Sequence, residues 1–257
     1  MIIDTHMHIF DDCYQGILDE VIAAAKANNV GMMIAVGYDY KSSLKAIELA
    51  EKYDSIYASV GLHPSEVAKE TDKNLTWLLS LISKKKVIAI GEIGLDYYWD
   101  KSHKELQQEL FIKQVLIAKA NNLPIIVHNR DATQDCFTIL KQNLVPGVMH
   151  CYSSSVEMAR EFTKLGYYLG IGGVVTFKNS KEIKRVVKEI DIKYLLSETD
   201  SPYLAPEPYR GKMNQPAYTK YIVEEIAKIK EEDSVIIEKA LADNAQRLFK
   251  FQEERKR

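Results

Sequence analysis

The sequence predicts a (β/α)8 barrel, and three observations carry that expectation. Short apolar, β-branched runs recur eight times along 257 residues, helical patterns fill the intervals, and metal-ligand-type side chains recur where the runs end. The runs are MIIDTHMH (1–8), VGMMIAVG (30–37), SIYASVGLH (55–63), KVIAIGEIGLD (86–96), LPIIVH (123–128), PGVMHC (146–151), GYYLGIGG (166–173) and KYLLSETD (193–200). Their inner parts are near-continuous apolar stretches, as expected of parallel strands covered by helices. A doubly wound open sheet is the alternative, but no GxGxxG follows a strand to favour it. Linkers, low-complexity tracts and obvious repeats are absent from the sequence, so one domain over 1–257 is expected.

The intervals read as helices by their 3.6-residue period. Over 103–121, Leu110, Gln114 and Ile117 form one stripe, Phe111, Val115 and Ala118 an adjacent one, and Glu109 can pair with Lys113 on the outer side. Asn121 and Asn122 can end this helix, and Pro124 prevents its continuation. His103 before it reads as a surface or capping residue. The last helix, about 234–251, places Ile237, Leu241, Ala245 and Leu248 on one face. Lys84, Lys85 and Lys86 read as a solvated helix end or loop.

Composition bounds the function. Hydrophobic residues make up 46% and charged residues 27%, an ordinary globular balance. The formal net charge is −2, so no global basic field marks a nucleic-acid binder and any polyanion contact must be local. Cys13, Cys136 and Cys151 are scattered without a CxxC, which signals neither a disulfide framework nor a cysteine zinc site. No leader pattern precedes IIDTH, and no apolar run approaches the roughly 18 residues of a membrane span. The expectation is a cytoplasmic protein with no membrane contact and no obligate protein partner.

The polar residues at the run ends carry the chemistry. His6 and His8 are two apart on a strand, so they point to one side. Glu92 lies in IAIGEIG, His128 ends PIIVH, His150 ends GVMH and Asp200 ends LLSETD. Each costs free energy if buried alone, and a barrel gathers such ends around one mouth. Four histidines and two carboxylates suffice for one or two divalent ions. Mixed imidazole and carboxylate ligation suits zinc, manganese, nickel or iron, and a carboxylate bridge suits a pair.

The motifs DTHMH, GLHP, GEIGLDYY, IVHNRDA, HCYSSS, ETDSPYLAP and YRGKMNQP, running from residue 4 to NAQRLF near 244–249, resemble the TatD family of metal-dependent hydrolases. That family belongs to the amidohydrolase-type barrels, and its members are typically described as divalent-metal-dependent deoxyribonucleases. The resemblance implies His6, His8, Glu92, His128, His150 and Asp200 as ligands of one or two divalent ions (magnesium, manganese, zinc or nickel), with Glu92 bridging. It implies that His63 in VGLHP is not a primary ligand but lies near the substrate, hydrogen-bonding a phosphate or supporting a ligand. One departure is that the family's usual HCFSGS reads HCYSSS here, with Tyr152 for Phe and Ser154 for Gly, which touches no ligand but can reshape the loop. Where many amidohydrolase-type barrels use a carboxylated lysine on strand four, this chain has Glu92, which fits the nuclease-like branch better.

Further residues surround this set. Pro202, Pro206, Pro208 and Pro216 forbid regular helix after the eighth strand, giving a stiff loop over the mouth that carries Arg210 and Lys212. A guanidinium suits bidentate phosphate binding, so Arg210 is expected to bind substrate. Tyr97, Tyr98 and Trp99 can stack on a nucleobase or pack a lid loop. Cys151, beside His150, should point the other way and pack. Glu198, two before Asp200, can orient a ligand or water, or accept from a backbone amide. The reading is a metal-dependent hydrolase of ester bonds acting on DNA or another phosphodiester, in which Asp200 and Glu92 are catalytic and Asp200 takes the proton of a metal-activated water. The rival readings are hydrolysis of a small amide, ester or lactone, and a catalytically silent metal-containing nucleic-acid-binding protein.

Overall fold

The structure, a computed structural model, describes residues 1–99 and 101–251. The last residues of the expected domain, 252–257, lie outside that range. Eight strands form one parallel sheet in sequential order: β1 (Ile2–Met7), β2 (Val30–Val36), β3 (Ile56–Val60), β4 (Val87–Asp96), β5 (Ile125–Arg130), β6 (Gly147–Met149), β7 (Tyr168–Ile171) and β8 (Leu195–Ser197). Helices alternate with them: α1 (Leu18–Ala27), α2 (Tyr40–Lys52), α3 (Thr76–Leu81), α4 (Lys104–Ala120), α5 (Thr133–Gln142), α6 (Val156–Lys164), α7 (Lys181–Glu189), α8 (Thr219–Lys230) and α9 (Ser234–Phe249). The expected (β/α)8 barrel is therefore the observed fold. No helix among the described residues is long and apolar enough to cross a membrane.

The seam between β1 and β8 closes through few bonds. Met7 bridges Ser201, the Thr5 hydroxyl donates to the Ser197 carbonyl at 3.1 Å, and the Ser197 hydroxyl donates to the Ile3 carbonyl at 3.0 Å. Short polar side chains thus replace ladder bonds where the short β8 offers few backbone partners.

Two apolar layers follow from strand alternation. The larger lies between sheet and helices and includes Ile125, Val127, Met149 and Leu195 together with helix residues such as Leu110 and Val115. The smaller takes Ile3, Ile34, Ile88, Ile126, Val148 and Leu196 from six strands, with Leu248, Phe249 and Phe251 from the end of α9 and just beyond. Neighbouring strand residues fall in different clusters, so the second cluster fills the barrel interior, and the end of α9 closes it. Two residues beyond Ile126, Val148 and Leu196 come His128 on the same face of β5, and His150 and Glu198 just past the ends of β6 and β8. The apolar plug is the floor on which the polar cluster stands.

On β1 the alternation alone would fail. Ile3 faces inward, so strict parity would turn His6 outward. The register of β1 on β2 shifts between Asp4 and Met7, which restores both histidines to the interior.

Several local expectations hold and others change. Helix α4 buries Leu110, Phe111, Gln114, Val115 and Ala118 and ends at Asn121, whose amide donates to the Ile117 carbonyl at 2.8 Å. Asn122 follows with φ 52°, and Leu123 N–H returns to Ala118 O at 3.0 Å. Ile117 is only half-buried, and Lys113 reaches the Lys73 carbonyl instead of the expected helix pair with Glu109. His103 is the N-cap of α4 and makes no side-chain capping bond there. Lys86 is no solvated end. Its ammonium donates to the carbonyls of Ala50 at 2.7 Å and Tyr53 at 2.8 Å, satisfying the C-terminus of α2.

Candidate metal centre

The strand ends meet around Glu92. His6 Nε2 and His8 Nε2 lie 3.1 Å apart. Glu92 Oε2 stands 3.4 Å from the first and 3.7 Å from the second, and Asp200 Oδ1 stands 3.8 and 3.5 Å from them. On the other side, Glu92 Oε1 is 2.8 Å from His128 Nδ1, 3.5 Å from His63 Nε2 and 3.7 Å from His150 Nε2. The two oxygens of one carboxylate thus divide the histidines into two sets. Asp200 Oδ1 touches both, being 3.9 Å from His150 Nε2. The peptide before Glu92 is cis.

The donor set fits a divalent cation. His8 Nδ1 lies 2.8 Å from the Val36 carbonyl, an acceptor, so Nδ1 carries the proton and Nε2 a lone pair in the neutral ring. That lone pair faces carboxylate oxygens and the Nε2 of His6. Acceptors turned toward one another at these distances repel unless positive charge lies among them. Ligand bonds of about 2.1 Å separate neighbouring ligands of one ion by about 3.0–3.4 Å, close to the spacings found. His6, His8 and Glu92 bring ligand atoms within 4.8 Å of one another, and so do His63, Glu92 and His128.

His63 is distinguished within its group by its hydrogen bonds. Its Nδ1 accepts from the Ser65 backbone N–H at 3.1 Å, so Nδ1 holds the lone pair and Nε2 the proton. Burial lowers its pKa to about 3, and the neighbouring His128 adds to the effect, so the ring is neutral and its Nε2–H is a donor aimed into the site. It lies three residues beyond the end of β3 rather than at its last position.

The ionised carboxylates make the centre a place that favours positive charge. Burial, the largest influence on Glu92, would raise its carboxyl, but the surrounding imidazoles, among them the charge of His150 and the contacts with His128 and His6, hold it well below the usual range. Burial likewise opposes ionisation of Asp200, and His150, His8 and His6 overcome it. Burial disfavours a charged His150, yet Glu198, Glu92 and Asp200 push it up to about 10. The carboxylates are held ionised and His150 supplies part of the balancing charge, while burial disfavours a charged ring at His6 and His63.

Supporting residues complete the cluster. Glu198 is fully buried, accepts from the Cys151 backbone N–H at 2.6 Å and sits 2.9 Å from His150 Nδ1. Of the roles left open in the sequence, acceptance from a backbone amide is observed, and the same oxygen stands beside His150. Gly170 makes room for it, since a Cβ there would lie 2.2 Å from Glu198 Oε2. Asp96, which sequence reasoning missed, places Oδ2 3.1 Å from His128 Nε2. The available signal was its position at the end of the fourth run, four residues after Glu92. Asn214, also missed, is buried and ties the Pro-rich loop down, donating to the carbonyls of Thr199 at 2.8 Å and Tyr203 at 2.7 Å.

Two expectations require correction. Cys151 does not point away. The strand stops at Met149, Cys151 adopts φ 44°, and its sulfur joins His150 and Asp200 within 4.8 Å. Burial, followed by the charges of Asp200, Glu198 and Glu92, raises its thiol well above the usual range, so it stays protonated. Asp200 does not end a strand either. β8 stops at Ser197, and Asp200, at φ 56°, is held by its N–H on the His6 carbonyl at 2.9 Å. The aromatic triplet divides: Tyr97 is buried and bonds Asp135 at 2.9 Å, whereas Tyr98 and Trp99 are 53% and 73% exposed. Arg210 stands apart from the cluster, its guanidinium 4.2 Å over the Phe177 ring, and none of its described contacts reaches the histidines.

Comparison with known proteins agrees with this geometry. A family profile described as TatD related DNase matches residues 3–250. The chain is 49% identical over 254 residues to the uncharacterized metal-dependent hydrolase YabD of Bacillus subtilis (strain 168), covering 98% of this chain and 100% of that protein. It is 35% identical to the uncharacterized metal-dependent hydrolase YcfH of Escherichia coli (strain K12), with 96% and 95% of the two chains covered. Among solved structures, the TatD homolog YjjV of Escherichia coli K12 superposes with a TM-score of 0.92 at 31% identity, covering 97% of this chain and 98% of that one.

Proposed function

The chain belongs to the TatD-related family of metal-dependent hydrolases, and from that premise we propose that it hydrolyses phosphodiester bonds, as a deoxyribonuclease. The observation that carries this reading is the division of Glu92, one oxygen toward His6 and His8 and the other toward His128 and His150. Such a carboxylate suits a pair of ions, and paired ions suit in-line displacement at phosphorus. On this reading His6, His8, Glu92, His128, His150 and Asp200 hold one or two divalent ions (magnesium, manganese, zinc or nickel) within one catalytic domain. Bound there, the ions lower the pKa of water and neutralise charge on phosphoryl oxygens.

The chain's own groups do the rest. Asp200, ionised and facing both sets of histidines, accepts the proton of the attacking water. Glu198 and Asp96 orient His150 and His128. His63 offers Nε2–H to a phosphoryl oxygen, a bond that needs no change of charge on the ring. Arg210, its guanidinium over the Phe177 ring, is the cation of the Pro-rich loop offered to a substrate phosphate.

Glu92→Gln is expected to favour a singly occupied site, because it keeps the shape and loses the charge that would hold two cations together. The metal-to-protein ratio of purified protein measures this, and two ions bound at wild-type affinity would contradict the bridging role. The function itself is tested by offering single-stranded DNA, duplex DNA, RNA, bis-(p-nitrophenyl) phosphate and a small amide, ester and lactone. Each is supplied with magnesium, manganese, zinc or nickel. Metal-dependent cleavage of DNA, silenced by chelator and restored by the ion, supports the proposal. Turnover confined to the amide, ester or lactone, or binding of DNA without turnover, overturns it.

A further inference from the structure

A cleft of about 540 Å³ opens between the segments that follow β4, β5 and β6, within the size range of ligand sites. Two of its walls continue directly from the metal centre. On β5 the inward face runs Ile126, His128, Arg130, which puts Arg130 about 6.6 Å beyond His128 along the strand. The opposite wall is the Ser153–Ser155 stretch that follows His150.

The cleft presents donors. The Arg130 guanidinium lies 3.9 Å over the Tyr98 ring and 5.2 Å from Trp99. Among the described residues no carboxylate lies within ion-pair distance of it, whereas Arg160 and Arg185 are both tied to glutamates. Stacking occupies a face of the guanidinium and leaves its N–H edge open. Below it, the Asn129 amide donates to the hydroxyls of Thr133 at 3.0 Å and Ser154 at 3.3 Å, and those hydroxyls lie 2.8 Å apart. With Thr133 donating to Ser154, the proton of Ser154 is free of that pair, and the Tyr152 hydroxyl and a ligand in the cleft compete for it. Ser154 is the residue by which HCYSSS departs from the glycine of HCFSGS. Asp131 also lines the cleft and offsets the charge of Arg130, so recognition here rests on directed donors rather than on a broad field.

We infer that this cleft binds the backbone phosphate next to the scissile one, gripped by Arg130 and Ser154, and so favours a nucleic-acid strand over an isolated phosphodiester. This rests on the phosphodiesterase reading above. The test compares wild type, Arg130→Gln and Ser154→Gly in two measurements. The first is the binding of a labelled, hydrolysis-resistant phosphorothioate oligothymidylate across a salt series. The second is the ratio of kcat/KM for an unmodified oligonucleotide to that for bis-(p-nitrophenyl) phosphate.

Arg130 is exposed, so its replacement leaves the barrel intact. Arg130→Gln is expected to weaken strand binding about tenfold or more, to reduce the salt slope by about one, and to lower the kinetic ratio in parallel. Ser154→Gly is expected to weaken binding several-fold with the slope unchanged. Binding by Arg130→Gln within twofold of wild type at an unchanged slope overturns the inference, as does an equal loss on both substrates. If the wild type cleaves neither substrate, the phosphodiesterase reading fails, and the binding series still decides whether the cleft holds a phosphate.

Discussion

Asp200→Asn is expected to lower kcat at least ~100-fold while KM moves less, the range for removing a general base. The variant isolates the proton from the ligand. Asparagine keeps the size and a coordinating oxygen, and like aspartate it tolerates the left-handed backbone that Asp200 adopts at φ 56°. The N–H bond to the His6 carbonyl is unaffected, so the seam between β1 and the segment after β8 stays closed. What is lost is a carboxylate that faces His8, His6 and His150 together. Steady-state kinetics on metal-saturated protein, with occupancy measured on the same sample, decide the matter. Activity within a few-fold of wild type at full occupancy removes Asp200 as the base. Glu198 would be a constrained substitute, since one of its oxygens already accepts from Cys151 and adjoins His150.

Replacing His6 and His8 together by alanine is expected to strip the site of metal and bring hydrolysis to the background of the assay, with the barrel still folded. These two nitrogens face each other at 3.1 Å and share the same carboxylate oxygens, so no other pair compensates for both. The fold survives because the apolar plug beneath them, from Ile3 to Phe251, is untouched. Metal analysis and thermal melting of the purified double variant check the two halves of this expectation. Undiminished metal with full activity would remove the pair from the centre, and loss of cooperative melting would assign them a structural task instead.

The legible part of this protein is the part encoded over short distances. Eight apolar runs separated by helical periods specify eight strands and their covering helices, because alternation and the 3.6-residue period are properties of a few neighbouring residues. Given the barrel, His6, His8, Glu92, His128, His150 and Asp200 converge, since successive parallel strands bring their ends to one mouth. Stripes such as Leu110, Phe111, Gln114 and Val115 were readable for the same reason.

Tertiary structure decided the rest. The register shift on β1 turns His6 and His8 inward, and it depends on how β1 lies against β2. Cys151 and Asp200 leave their strands with positive φ, so alternation no longer governs where they point. The partnerships of Asp96 with His128 and of Glu198 with the Cys151 amide join residues 32 and 47 positions apart. Lys86 seals α2 from across a strand and a helix, where its own neighbours suggested only solvent. A local period fixes which face a residue shares with its neighbours. It carries no information on which distant group meets that face, because the approach is set by the packing of the whole barrel.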